Sequence, residues 1–128
     1  MSPREAFVDH LTLQVRDLEA SRRFYAAALA PWGGRESKDE WGISFGPPGS
    51  EDVAIAEGEP SGPIHLALSA PDRETVDRFY EAALSGGGRD NGPPGERPQY
   101  HPGYYAAYVL DPDGNNVEAV FHGRQEAE

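Results

Sequence analysis

Residues 10–29 read HLTLQVRDLEASRRFYAAAL, and residues 65–84 read HLALSAPDRETVDRFYEAAL. Eleven of these twenty aligned positions are identical, at a spacing of 55 residues. A chain of 128 residues has room for one ordinary hydrophobic core and not for two. The repeat therefore predicts two half-modules built around a shared core, rather than an array of independent units.

Both copies open with alternation. Leu11, Leu13 and Val15 share one face, with His10, Thr12 and Gln14 on the other; in the second copy Leu66 and Leu68 oppose His65, Ala67 and Ser69. Period two with one apolar face describes a half-buried strand. Asp17 and Asp72 stand where a helix N-cap belongs. Beyond them the period lengthens, so that Leu18, Ser21, Tyr25, Ala28 and Leu29 fall on one helical face, as do Val76, Phe79, Tyr80, Ala83 and Leu84. Gly33 and the run Gly86 to Gly88 end the two helices. The histidine face of each strand is then the face turned away from the helix.

Shorter β-like segments follow each helix. They are GRESK, WGISFG and DVAIAEG in the first half, then a weak GRDN, YYAAYVL and NNVEAVFH in the second, with DPDGNN as the turn before the last strand. The pattern is βαβββ, twice. The expected fold is α+β, two βαβββ modules forming one curved, cupped mixed β-sheet domain with the helices on its convex side. One domain spans 1–128, with module 1 at about 6–58, module 2 at about 62–123 and a tail at 124–128. Both histidines are then expected to point into the cup. The glycine and proline clusters GPPGSED, GEPSGP and NGPPGERPQYHPG read as loops.

The formal net charge of −11 repels polyanions, which argues against nucleic acid and anionic membrane as partners. No apolar run approaches the roughly 20 residues of a membrane span, and the opening MSPREAFVDH lacks the layout of a secretory signal. The expected location is the cytoplasm. With no cysteine, disulfides, thiolate metal sites and a cysteine nucleophile are excluded.

In the last strand Val117, Ala119 and Phe121 form the helix-packing face, which leaves Glu118 and Val120 on the histidine face. A carboxylate in an apolar strand is costly unless something pairs with it. His10, His65 and Glu118 make a His, His, Glu set that one divalent ion accepts, leaving coordination positions open for substrate; Ni, Fe, Mn, Zn and Co all fit. A single histidine at a strand start is more often a polar residue near a loop, and the repeat is what raises these two above that. His122 shares the face of Glu118, but four residues of strand put it roughly 13 Å further along, too far for a fourth ligand.

The segments VDHLTLQVRDLEASRRFYAAAL, IHLALSAPDRETVDRFYEAAL and YVLDPDGNNVEAVFHG resemble the vicinal oxygen chelate superfamily, the glyoxalase, bleomycin-resistance and extradiol dioxygenase fold. The resemblance spans about Ala6 to Gly123. It implies metal ligands at His10, His65 and Glu118, a small-molecule substrate and a homodimer. Where glyoxalase I enzymes carry a fourth ligand, this chain offers Val53 or Ala54, neither of which ligates, and Glu57 needs a different register. A three-ligand site follows, and of Tyr100, His101, Tyr104, Tyr105 and Tyr108 the groups set beside it to handle protons are His101, on a loop over the cavity mouth, and Tyr104, on the strand entering the cavity. Glu118, His101 and Tyr104 are the candidate catalytic residues. The implied activity is that of a metal-dependent lyase, isomerase or ring-cleaving dioxygenase acting on a substrate that chelates through vicinal oxygens. The alternative is metal-free sequestration of a cationic drug, as in the bleomycin-resistance branch. A fosfomycin-type thiol transferase ranks lower, because NGPPGERPQYHPGYY offers Arg97 but neither lysine nor serine.

Overall fold

The computed structural model describes residues 8–47, 50–60 and 62–123. The expected tail and the first two residues assigned to module 1 lie outside them. Module 1 runs β1 (Leu11–Val15), α1 (Leu18–Leu29), a 3₁₀ turn (Ala30–Trp32), β2 (Arg35–Lys38), β3 (Ile43–Gly46) and β4 (Val53–Glu57). Module 2 runs β5 (His65–Ser69), α2 (Arg73–Ser85), β6 (Arg89–Glu96), β7 (Tyr104–Leu110) and β8 (Asn116–His122). The two four-stranded mixed sheets are ordered β1-β4-β3-β2 and β5-β8-β7-β6. In each, the first strand lies parallel to the last and the remaining pairs are antiparallel. The two βαβββ modules stand as expected, with the cup divided between two separate sheets.

Both predicted caps form. The Asp17 carboxylate accepts from the Ala20 N–H at 3.0 Å, and that of Asp72 from the Thr75 N–H at 2.8 Å. The core takes Leu13, Val15, Val117 and Ala119, with Leu11, Leu66, Leu68 and Phe121 packed against it. The helix faces are wider than their spacing suggests: Phe24 and Thr75 are buried as well. The reason is that α1 and α2 pack on each other as well as on their own sheets. Gly86 permits this approach, since a β-carbon there would sit 2.8 Å from the Ala27 Cβ. The glycine run therefore serves close packing as much as helix termination.

One expectation is corrected at β6. Residues 92–96, assigned above to a loop, extend this strand through Pro93 and Pro94. The strand lies at the edge of its sheet, where a missing N–H leaves no neighbour unpaired, and register shifts at Gly92 absorb the irregularity.

The DPDGNN turn ties the halves together. Asp111 and Tyr25 are both buried, and the Tyr25 hydroxyl donates to Asp111 Oδ2 at 2.6 Å. Asp111 also accepts from the backbone of Asp113 and Asn115 and from the Asn115 amide, whose oxygen takes the Ile64 N–H at the entry to β5. Burial and the adjacent Asp111 carboxylate push the Tyr25 phenol well above its ordinary pKa, so it remains a donor. Tyr25→Phe removes a buried charge-assisted hydrogen bond between the modules. It should lower the unfolding free energy by about 1–3 kcal/mol, read as a shift of the urea midpoint at unchanged slope.

Candidate functional site

Glu118 sits in β8 between two core residues, Val117 and Ala119, and its side chain takes the opposite face. Its neighbours across the sheet are Ala67 on β5 and Tyr108 on β7. The carboxylate is 1% exposed. Oε1 lies 2.7 Å from His65 Nε2, and Oε2 accepts from the Tyr104 hydroxyl at 2.5 Å. Alternation in YYAAYVL places Tyr104 and Tyr108 on this same open face, and the half-exposed His65 ring lies 6.3 Å from that of Tyr108. Burial, followed by the Glu118 carboxylate, pushes both phenols above their ordinary range. They stay protonated donors at neutral pH.

Further along the face His101, His122 and Tyr104 form an aromatic cluster. His101 Nε2 and His122 Nδ1 are 2.9 Å apart, with the rings stacked at 5.1 Å and the Tyr104 ring edge-on to both. His101 Nδ1 lies 2.8 Å from the Pro102 carbonyl, which can only accept, so this nitrogen carries the proton. A neutral His101 then accepts at Nε2 from His122, and a cationic one donates there. The contact holds one proton in either case.

His10 lies just before β1, its Nδ1 2.9 Å from the Asp9 carboxylate, on the open face of the other sheet. It lines a cavity of about 830 Å³ built only of module 1 residues, with Thr12, Ser44 and Ala54 as its floor. Asp9, Glu36, Asp39 and Glu51 make the walls acidic, and the Trp41 indole, 78% exposed, stands among them. Strand register settles which residue matches Glu118. Ala67 faces Glu118, and its repeat equivalent Thr12 faces Ala54. Glu57 pairs with Val15 at the far end of β4, away from His10.

The chain thus joins His65, Glu118 and Tyr104, sets His101 beside Tyr104, and keeps His10 on the other module. Among the described residues no three histidine, aspartate or glutamate side chains are grouped to hold a metal ion. Two residues of the same stretch join the site without having been among the candidate catalytic residues: Tyr108, which alternation places with Tyr104, and Arg97, whose guanidinium lies over the Tyr108 ring. Only the fold brings Arg97 there.

Paired βαβββ modules, each with one open sheet face, define the class of fold, and comparison gives the family. The family model described as the Glyoxalase/Bleomycin resistance protein/Dioxygenase superfamily matches residues 7–119. The chain belongs to this superfamily. Among solved structures it is similar to a glyoxalase/bleomycin resistance protein from Albidiferax ferrireducens T118, with 28% identity and a TM-score of 0.78 over 91% of this chain and 98% of that one. A glyoxalase-related enzyme from Fulvimarina pelagi is 25% identical, with a TM-score of 0.68 over 94% of this chain and 98% of that one. A lactoylglutathione lyase from Agrobacterium tumefaciens shares the fold at 20% identity and a TM-score of 0.66, over 93% of this chain and 95% of that one. No functionally curated protein matches.

The bond from Tyr104 to Glu118 can be isolated by a double-mutant cycle. In metal-free protein Tyr104→Phe should cost about 1–3 kcal/mol of unfolding free energy, because a buried carboxylate loses a donor. In a Glu118→Gln background the cost should fall to about 1 kcal/mol, since the acceptor is neutral. Urea unfolding in the presence of a chelator measures both.

Proposed function

We propose that this is a divalent-metal-dependent enzyme, working in the cytoplasm as a homodimer, whose metal centre joins His65 and Glu118 of one copy to His10 of the other. The observation that carries the reading is the His65–Glu118 pair itself. Two donors of the expected set converge on an open face, while the module bearing His10 has Ala54 where a carboxylate would stand. The donor chemistry fits: two imidazoles and one carboxylate suit Ni, Fe, Mn, Zn or Co. Dimerisation is supported by the strand edges. β1 and β5 each pair on one side only, and Leu11, Leu66 and Leu68 stay half-covered beside an apolar groove of about 440 Å³.

When bound, the ion supplies Lewis acidity that polarises a substrate oxygen. The chain's residues do the rest. Glu118 contributes the one negative charge of the ligand set, and Tyr104 fixes the orientation of its carboxylate. The Tyr108 hydroxyl also remains protonated, so it can donate to an oxygen of the substrate, while the single proton of Tyr104 is held by Glu118. The His101–His122 contact, holding one proton against the edge of Tyr104, is the group placed to give or take a proton. This arrangement serves lyase, isomerase or ring-cleaving dioxygenase chemistry on a substrate with vicinal oxygens.

A second reading, sequestration of a cationic molecule, is favoured by the acidic cavity around Trp41. Metal content separates the two. Protein purified without chelator should carry a divalent ion, and Glu118→Gln, which keeps shape and removes charge, should lose it with the fold intact. A metal-free wild type that takes up no added divalent ion would favour sequestration.

Complementation tests the shared centre. His10→Ala and Glu118→Gln should each form metal-free dimers. Refolded together they should regain about one ion per mixed dimer, because one of the two sites then receives only intact ligands. A mixture that stays metal-free, with dimers intact by light scattering, would place each site within one chain or nowhere. On an identified substrate, His101→Ala should lower kcat by about a hundredfold at unchanged metal content. Full activity would return His101 to a packing role.

A further inference from the structure

We propose that Arg97 anchors a carboxylate of the substrate, on the open face of module 2 beside the His65–Glu118 pair. The inference rests on the metal-chelating site proposed above and names the class of molecule that it takes.

Four arginines of the described chain are neutralised by carboxylates: Arg16 by Asp113, Arg22 by Glu19 and Glu36, Arg73 by Glu96, and Arg78 by Glu74. Arg97 is different. Its sequence neighbour Glu96 is bound to Arg73, 2.9 Å away, and Arg97 forms no ion pair among the described residues. Its guanidinium lies 5.3 Å from the centre of the Tyr108 ring and gives one hydrogen bond, from Nη2 to the Pro93 carbonyl at 2.8 Å. A guanidinium has five N–H donors, so most of this set is available to a ligand.

The position is built, not incidental. A β-carbon on Gly95 would meet Arg97 Nη1 at 3.0 Å, and one on Gly92 would meet the Tyr108 ring at 2.9 Å and Arg97 Nη2 at 3.4 Å. The two glycines of β6 leave a slot that the guanidinium and the tyrosine ring fill together. Ordering a long side chain costs conformational entropy, and no carboxylate offsets it here. Tyr108 faces Glu118 across the sheet, and its ring is 6.3 Å from that of His65. One small molecule can therefore reach both the metal ligands and Arg97.

The charge of the ligand follows from the surroundings. Arg97 is the only lysine or arginine between residues 91 and 110. One guanidinium balances one carboxylate and matches it with parallel hydrogen bonds. A phosphate, closer to two charges at neutral pH, would keep one charge that this single guanidinium does not balance.

The test uses dimeric protein loaded with Co(II), whose visible spectrum responds to chelation, titrated without oxygen. The probes are catechol, which offers vicinal oxygens alone, and 2,3- and 3,4-dihydroxybenzoate, which add a carboxylate in two placements. At least one dihydroxybenzoate should bind wild type about ten- to a hundredfold tighter than catechol. Arg97→Met should abolish that preference and leave catechol binding unchanged. Arg97→Lys should retain part of it, because charge survives without the planar fork. Equal binding of all three probes by wild type, or a preference that survives Arg97→Met, would overturn the role of Arg97 and leave the chelating site standing. Loss of the dimer in Arg97→Met by light scattering would also overturn it, assigning Arg97 to a contact between copies. If no probe perturbs the cobalt spectrum, the chelating reading itself fails and the inference fails with it.

Discussion

The packing of α1 against α2 governs where every other group can stand. Each sheet gives one face to its own helix, and the helices meet closely enough that Gly86 and Gly88 have no room for a β-carbon. Both modules then share one core, and each open face is the side away from its helix. The internal repeat makes His10 and His65 equivalent, but equivalence by pseudo-symmetry is not proximity. One chain carries two unlike open faces: a module with histidine and alanine, and a module with histidine and glutamate. The two-fold dimer proposed above would set unlike faces against each other and make two shared sites at once.

The asymmetry between the halves turns on Glu118. A buried carboxylate is tolerated only with partners, and in the lone chain His65 and Tyr104 supply them. Ala54, its counterpart, needs none. Module 2 therefore holds its carboxylate oriented, with the phenols kept protonated by burial and by that charge. In the proposed enzyme the remaining donor comes from His10, which has only an exposed pairing with Asp9 to give up.

Much of this was legible in the sequence because strands and helices write their orientation in periodicity. Alternation at Leu11 to Val15 and Val117 to Phe121 separated a core face from an open face, and the same rule put His65 and Glu118 together. Asp17 and Asp72 announced their caps by position. What stayed hidden depends on distances between elements. Phe24 is buried because a second helix covers it, which the period of α1 does not encode. Pro93 and Pro94 argued for a loop, yet an edge strand has no ladder on its outer side for proline to break. The separation of His10 from His65 follows from how two modules share a core, and the repeat is silent on that. The meeting of His101 with His122, and of Arg97 with Tyr108, likewise required the folded sheet.

An acidic chain and an anion-binding guanidinium are compatible because the two act over different ranges. At physiological salt, charges further apart than about 8 Å are largely screened, so the net charge acts weakly on a ligand already inside a site. There the nearest groups decide. Around Arg97 the adjacent carboxylates are spoken for: Glu96 by Arg73, and Glu118 by His65 and Tyr104. Around His10 the balance differs: Glu36 is paired with Arg22, but Asp9, Asp39 and Glu51 share the cavity with a single arginine, Arg35. Opposed across the proposed shared site, these two walls would give it a polarity. The acidic wall repels a carboxylate, and the wall with Arg97 receives it. The same acidity that disfavours anions at a distance would then fix which way round a bound anion lies.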